Sequence, residues 1–257
     1  MLLRDKVAVI HGAGGAVGGA VARAFAAEGA RLFLTGHRRA SVEAVAAELE
    51  GAEVAEVDAL DERAVDAYLA AVVERTGRID ISFDAVGTPN AQILGVPLVE
   101  LAAERFAEPI AAYPMAYFLT ARLAARRMIP AGSGVIMTVT GLPARTGLRL
   151  NGGYGPAQAA KEQLTRDLSA ELAPYGIRVV GLRPHGMPET RTMREAFEAK
   201  TSGATWAEFA AALAGTTHPR RVMTLADLAG AAVLMAGDRA SGMTGSTVNL
   251  SLGGLAD

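Results

Sequence analysis

The sequence predicts an α/β fold of three layers, α/β/α, with helices covering both faces of a doubly wound parallel sheet. Short apolar runs of strand length alternate along the chain with longer alanine-rich runs of helical period. The first apolar run, K-V-A-V-I-H at 6–11, passes straight into a glycine-rich turn that opens a helix. Apolar strands separated by helices need cover on both faces, which implies parallel pairing. Right-handed crossovers then wind the sheet in both directions.

The elements follow in order. After the first strand, V-G-G-A-V-A-R-A-F-A-A-E-G places Val17, Val21, Ala24 and Phe25 on one helical face, with Gly29 as its stop. Strands are expected at 31–35, 53–57, 79–83, 134–140, 177–182 and 247–250. Helices are expected at 41–49, 63–75, roughly 98–128, 152–174 and 224–236, the last opened by the capping pattern T-L-A-D. Residues 188–219 stand apart. They hold the only tryptophan and a second capping pattern, Thr205 to Glu208. They leave the carboxyl end of a strand, where ligands bind in such sheets, so one or two short helices forming a small helical lid are expected. No linker or fixed-period repeat divides the chain, and residues 1–257 read as a single domain.

Composition removes several classes of function. With 51% hydrophobic residues the chain can bury a large core. A net charge of −2, with both signs scattered, gives no nucleic-acid footprint. No cysteine is present, so thiolate chemistry and Cys-ligated metal are excluded, and His11, His37, His185 and His218 lack metal-ligand spacing. The N-terminus lacks a signal-peptide pattern, and no apolar run reaches the ~18 residues of a membrane span. A cytoplasmic protein with no membrane association is expected.

The turn H-G-A-G-G-A-V-G, between strand and helix, has the character of a dinucleotide-binding loop of Rossmann-like type. Glycines let the backbone approach a pyrophosphate, and the helix N-terminus offers free N–H groups. Further segments match in order: R-P-H-G-M-P-E-T after the sixth strand, Q-A-A-K-E-Q-L-T-R-D-L-S-A-E-L after Tyr154, and D-R-A-S-G-M-T-G-S-T-V-N-L-S-L-G-G near the end. Over essentially its whole length the chain resembles a single-domain short-chain dehydrogenase/reductase. The resemblance implies cofactor contacts from Gly12, Gly14, Gly15, Ala16, Val17 and Gly18, from Asp58 and Ala59, from Val86 and Gly87 of D-A-V-G, and from Pro184, Gly186 and Thr190. It also implies a homodimer or homotetramer built on the two long helices, and a small-molecule substrate.

The second strand ends in T-G-H-R-R. An acid there would bind a ribose diol and favour NAD. Gly36 stands in its place, followed by His37 and Arg38, so NADP is the expected cofactor rather than NAD. His11 and Asp84 replace the family's Thr and first Asn at neighbouring strand ends, and a His11–Asp84 hydrogen bond is one expectation.

The family's catalytic set is Asn, Ser, Tyr and Lys. Tyr154 matches the Tyr, but Gln158 holds the Lys position, Gly141 the Ser position and Tyr113 the Asn position. Thr140, beside Gly141, could supply a hydroxyl if the backbone re-aimed it. Gln158 can bond ribose hydroxyls but has no charge to lower a phenol pKa. Lys161 lies too far along the helix to replace the Lys and is expected at the surface or an interface. His185 is an alternative acid. Tyr154, Gln158 and Thr140 are thus the catalytic candidates for an atypical oxidoreductase. A cofactor-binding sensor or partner protein, and non-redox chemistry in the same pocket, remain as alternatives.

Overall fold

The computed structural model describes residues 1–201 and 203–256. Seven strands form one parallel sheet in the order β3-β2-β1-β4-β5-β6-β7. They are β1 Val7–His11, β2 Arg31–Gly36, β3 Glu53–Glu56, β4 Ile81–Asp84, β5 Gly134–Val139, β6 Ile177–Pro184 and β7 Ser246–Leu250. The helices are α1 Ala16–Ala27, α2 Arg39–Ala46, α3 Glu62–Thr76, α4 Ala103–Met128, α5 Tyr154–Leu172, α6 Arg191–Lys200, α7 Trp206–Gly215 and α8 Leu225–Ala236. No helix among the described residues is long and apolar enough to cross a membrane.

Successive side chains of each strand feed opposite faces. Ala8, Ile10, Leu34 and Phe83 join α1 and α8 in one core layer. Val7, Val9, Phe33 and Ile136 join α3, α4 and α5 in the other. Each fully buried Val, Leu, Ile or Phe stabilises the fold by about 1.5–3 kcal/mol, so this double cover fixes the strand register.

The expected long helix at 98–128 begins later, at Ala103. Residues 97–101 form a turn instead, with Glu100 and Leu101 N–H groups donating to the Pro97 carbonyl at 3.0 Å. Residues 188–219 contain two helices, and α7 opens with the expected capping box between Thr205 and Glu208. Thr224 and Asp227 form the corresponding box on α8.

One buried row at the carboxyl end of the sheet is polar. Thr35, His11, Asp84 and Thr138 stand opposite one another in register across β2, β1, β4 and β5. Asp84 Oδ2 accepts Thr138 Oγ1 at 2.8 Å and pairs with Lys161 Nζ at 2.8 Å. Asp84 Oδ1 accepts the Val86 N–H at 3.2 Å. Lys161 also donates to the Val139 carbonyl at 3.0 Å and lies beside the rings of Tyr113 and Tyr117. Lys161 is 1% exposed, which corrects the expectation of a surface lysine. The charge is drawn inward because Asp84 would otherwise stand unpaired in the sheet. The next residue, Glu162, forms a second buried pair with Arg183 of β6 at 3.1 Å.

Removing one partner of a buried pair strands the other charge and costs about 3–5 kcal/mol. Lys161→Met should therefore lower the urea-unfolding free energy by roughly that amount. Asp84→Asn combined with Lys161→Met should recover most of the loss, because no bare charge remains. A loss under about 1 kcal/mol in the single variant would show that the pair does not hold the fold.

Candidate active site and nucleotide groove

The turn between β1 and α1 is closely packed. Gly12 has φ +76°, and a Cβ there would stand 2.6 Å from the Ala85 carbonyl oxygen. A Cβ on Gly18 would meet the Gly12 carbonyl oxygen at 2.4 Å, so this glycine lets α1 lie against its own loop. Gly14 serves a neighbour: its Cβ would collide with Ser41 Oγ. The N-terminus of α1 has no side-chain cap, which leaves its first N–H groups for a ligand.

Beside this turn runs a groove of roughly 320 Å³. Its walls come from Gly12, Gly14, Gly15, Ala16 and Val17, from His37 and Arg38, from Asp58 and Ala59, from Val86 and Gly87, and from Thr190. The sequence-expected Gly18, Pro184 and Gly186 do not line it. Gly18 is a packing residue, Pro184 ends β6, and Gly186 makes room for the Met193 sulfur. Gly36 lines the groove at the end of β2, and Ser41, Arg191 and Thr192 line it without having been expected there. Ser41 was legible only as an early helix residue. Arg191 comes from α6, whose placement depends on tertiary contacts.

Tyr154 is the first residue of α5 and is half-buried. A Cβ on Gly141 would stand 3.5 Å from its hydroxyl, and Gly141 is extended (φ −166°). Gly141 is therefore the β5-end position that faces the phenol, and any side chain fits its backbone. Thr140 corrects the expectation of a substitute hydroxyl. Its Oγ1 donates to Glu162 Oε1 at 3.2 Å and toward the Leu182 carbonyl at 3.4 Å. Strand alternation aims it at the buried Glu162–Arg183 pair, and no bulge turns it back.

Gln158, one helical turn after Tyr154, is 2% exposed and its Nε2 has no partner. An orphaned buried amide of this kind is available to a cofactor hydroxyl. With the glycine cradle and the open helix end, it makes the residues present a fit for a dinucleotide. Tyr113 packs edge-on against Tyr154 with ring centroids 5.6 Å apart, and its hydroxyl donates to the Thr88 carbonyl at 3.2 Å and accepts Asn90 Nδ2 at 3.1 Å. Burial, with Tyr113 alongside, pushes the Tyr154 phenol well above the ordinary tyrosine range.

His11 and His185 each meet a threonine hydroxyl. His11 Nδ1 meets Thr35 Oγ1 at 3.2 Å, and no His11–Asp84 hydrogen bond forms. Asp84 already satisfies Thr138, Lys161 and Val86. Burial holds His11 down at about 4 despite the nearby Asp84, so its ring is neutral. His185 Nε2 meets Thr216 Oγ1 at 2.9 Å at the end of α7, a tie between β6 and the α6–α7 segment.

Residues 12–254 match the family described as Enoyl-(Acyl carrier protein) reductase. Levodione reductase of Leifsonia aquatica is 34% identical over 186 residues, covering 70% of this chain and 68% of that protein. D-threitol dehydrogenase of Mycolicibacterium smegmatis is 30% identical over 186 residues, covering 71% and 70%. The crystal structure of levodione reductase superposes with a TM-score of 0.89 at 26% identity, covering 98% of both chains.

Two titrations follow. Unfolded His11 takes up a proton near its ordinary 6.5, whereas folded His11 refuses it until about 4. Stability present above pH 6.5 should thus be lost as pH falls toward 4, by up to about 3 kcal/mol. Denaturation curves should show a smaller loss over that range in His11→Thr. For the phenol, absorbance titration should give coincident curves for wild type and Tyr154→Phe up to about pH 10, whereas an early step missing from Tyr154→Phe would contradict the burial argument.

Proposed function

Because the chain belongs to the short-chain dehydrogenase/reductase family of oxidoreductases, we propose that it reduces a carbonyl group on a small molecule with NADPH, using Tyr154 as proton donor. The observation that carries this reading is the groove, with its glycine floor and, at the end of β2, His37 and Arg38 beside a glycine where an acid would favour NAD. At the end of β2, Gly36 presents no carboxylate to a phosphate, and a Cβ there would press on Val42 at 2.9 Å. His37, Arg38 and Ser41 surround the position. Arg38 suits a 2′-phosphate, and Ser41 can add a hydroxyl.

The bound nucleotide would supply the hydride. The chain's own residues do the rest. The loop from Gly12 to Val17 and the α1 N-terminus hold a pyrophosphate, and Gln158 Nε2 offers a donor to a ribose hydroxyl. The Tyr154 O–H gives its proton to the alkoxide oxygen that forms as the carbonyl is reduced. A phenol raised by burial stays protonated at neutral pH, so it can donate but is a poor base. Gln158 lacks the charge that would ease ionisation, which makes the acid weak and turnover slow. Residues 188–219, as a lid, would exclude water from the reacting carbonyl. The family resemblance further supports a homodimer or homotetramer through α4 and α5.

Gln158 and Gly141 also favour a second reading, cofactor binding without turnover. Calorimetry should give NADPH binding at least tenfold tighter than NADH, with the preference lost in Arg38→Asp. Absorbance at 340 nm should then fall with a carbonyl substrate, about 100-fold more slowly in Tyr154→Phe and faster in Gly141→Ser/Gln158→Lys. Tight NADPH binding with no oxidation across a carbonyl panel would favour the second reading.

A further inference from the structure

The turn that opens α5 contains an unanswered polar group beside Tyr154. Asn151 is 9% exposed, and its amide nitrogen has no hydrogen-bond partner. A buried donor left unpaired costs about 1–3 kcal/mol, so its retention calls for a ligand. The Asn151 carbonyl accepts the Tyr154 N–H at 3.2 Å, which places the two residues in the same turn. Lys200, the last residue of α6, donates from Nζ to Asn151 Oδ1 at 2.9 Å. That bond fixes the amide: its oxygen faces the lysine, and its nitrogen is the end left without a partner.

Lys200 is half-buried, and no described carboxylate lies within ion-pair distance of it. Burial alone lowers its pKa, with no carboxylate to oppose the shift. Other cations of α6 are engaged: Arg191 with Glu195 at 3.3 Å and Arg194 over the Trp206 ring. The same helix packs on the phenol. Ala196, Met193 and Ala199 join Tyr154, Ile93 and Leu94 in one apolar cluster. Lys200 lies one helical turn beyond Ala196, at the edge of that cluster.

We propose that Lys200 and Asn151 form an oxyanion-binding subsite, so that the carbonyl compound reduced at Tyr154 carries a carboxylate or phosphate group. The proposal rests on Tyr154 being the reducing site. One ammonium hydrogen is spent on Asn151, and two remain for the anion. Asn151 Nδ2 adds a second donor directed at the same group. Both would be bonds to a charged acceptor, the stronger kind, and the anion would give Lys200 its missing counter-ion. Ile93, Leu94 and Ala196 suit the carbon skeleton between the anion and the carbonyl.

The test compares acetoacetate with methyl acetoacetate, and dihydroxyacetone phosphate with dihydroxyacetone, in wild type, Lys200→Met and Lys200→Arg. At least one anion should have a kcat/KM tenfold or more above that of its neutral partner. Lys200→Met should raise the KM of that anion at least tenfold more than the KM of the neutral partner, and Lys200→Arg should retain the preference. Which pair responds separates carboxylate from phosphate. Turnover without preference, or equal changes for anion and neutral partner, overturns the proposal. Trp206, the only tryptophan, packs 5.1 Å from Phe197 of α6, so its fluorescence reports binding in cofactor-free protein. A saturable response to an anion, lost in Lys200→Met, would support the subsite even if no NADPH were oxidised. That outcome would count against the reductase reading alone. No response to either anion, with no turnover, overturns the subsite.

Discussion

Helix α5 is fastened to the sheet by two adjacent charged side chains that point in different directions. Lys161 reaches Asp84 at the end of β4, and Glu162 reaches Arg183 at the end of β6. All four are nearly solvent-free. Burying charge is expensive unless every donor and acceptor is met. Here Thr138, the Val86 N–H and the Val139 carbonyl complete the first pair, and Thr140 contributes to the second. Such an arrangement tolerates little sliding, because a shift of one residue along α5 would leave charges unpaired. The helix that carries Tyr154 and Gln158 is therefore held in rotation and in register, as well as by its apolar face.

The same constraint links Asp84, Lys161 and Tyr113 beneath Tyr154. Asp84 at the end of β4 requires a buried cation, and Lys161 supplies it from the face of α5 below Tyr154. The lysine answers a structural charge and does not replace the one missing at position 158. Tyr113 fills space against both Tyr154 and the Lys161 ammonium, so the phenol rests on an aromatic and cationic floor.

Much of the fold could be read from the sequence because its signals are local. Strand runs such as 6–11, the capping patterns at Thr205 and Thr224, and the glycine turn each carry their own physics. The groove was legible through the glycine turn, through His37 and Arg38 after the second strand, and through the family resemblance that implied Asp58. What could not be read was pairing across the fold. Nothing local distinguishes Lys161 from a surface lysine, because its partner is 77 positions away. Thr140 looked usable until strand alternation, ending without a bulge, aimed it at Glu162. His11 and Asp84 are neighbours in register, as the topology implied, but Thr138, Lys161 and the Val86 N–H occupy Asp84, and His11 meets Thr35 instead.

Hydrogen exchange on α5 is the most direct measure of this anchoring. In Lys161→Met, amide protection across residues 154–165 should fall markedly, while α1 and α3 on the far strands keep theirs. Protection of α5 equal to wild type in that variant would contradict the anchoring role of the buried pair and leave apolar packing alone to position Tyr154.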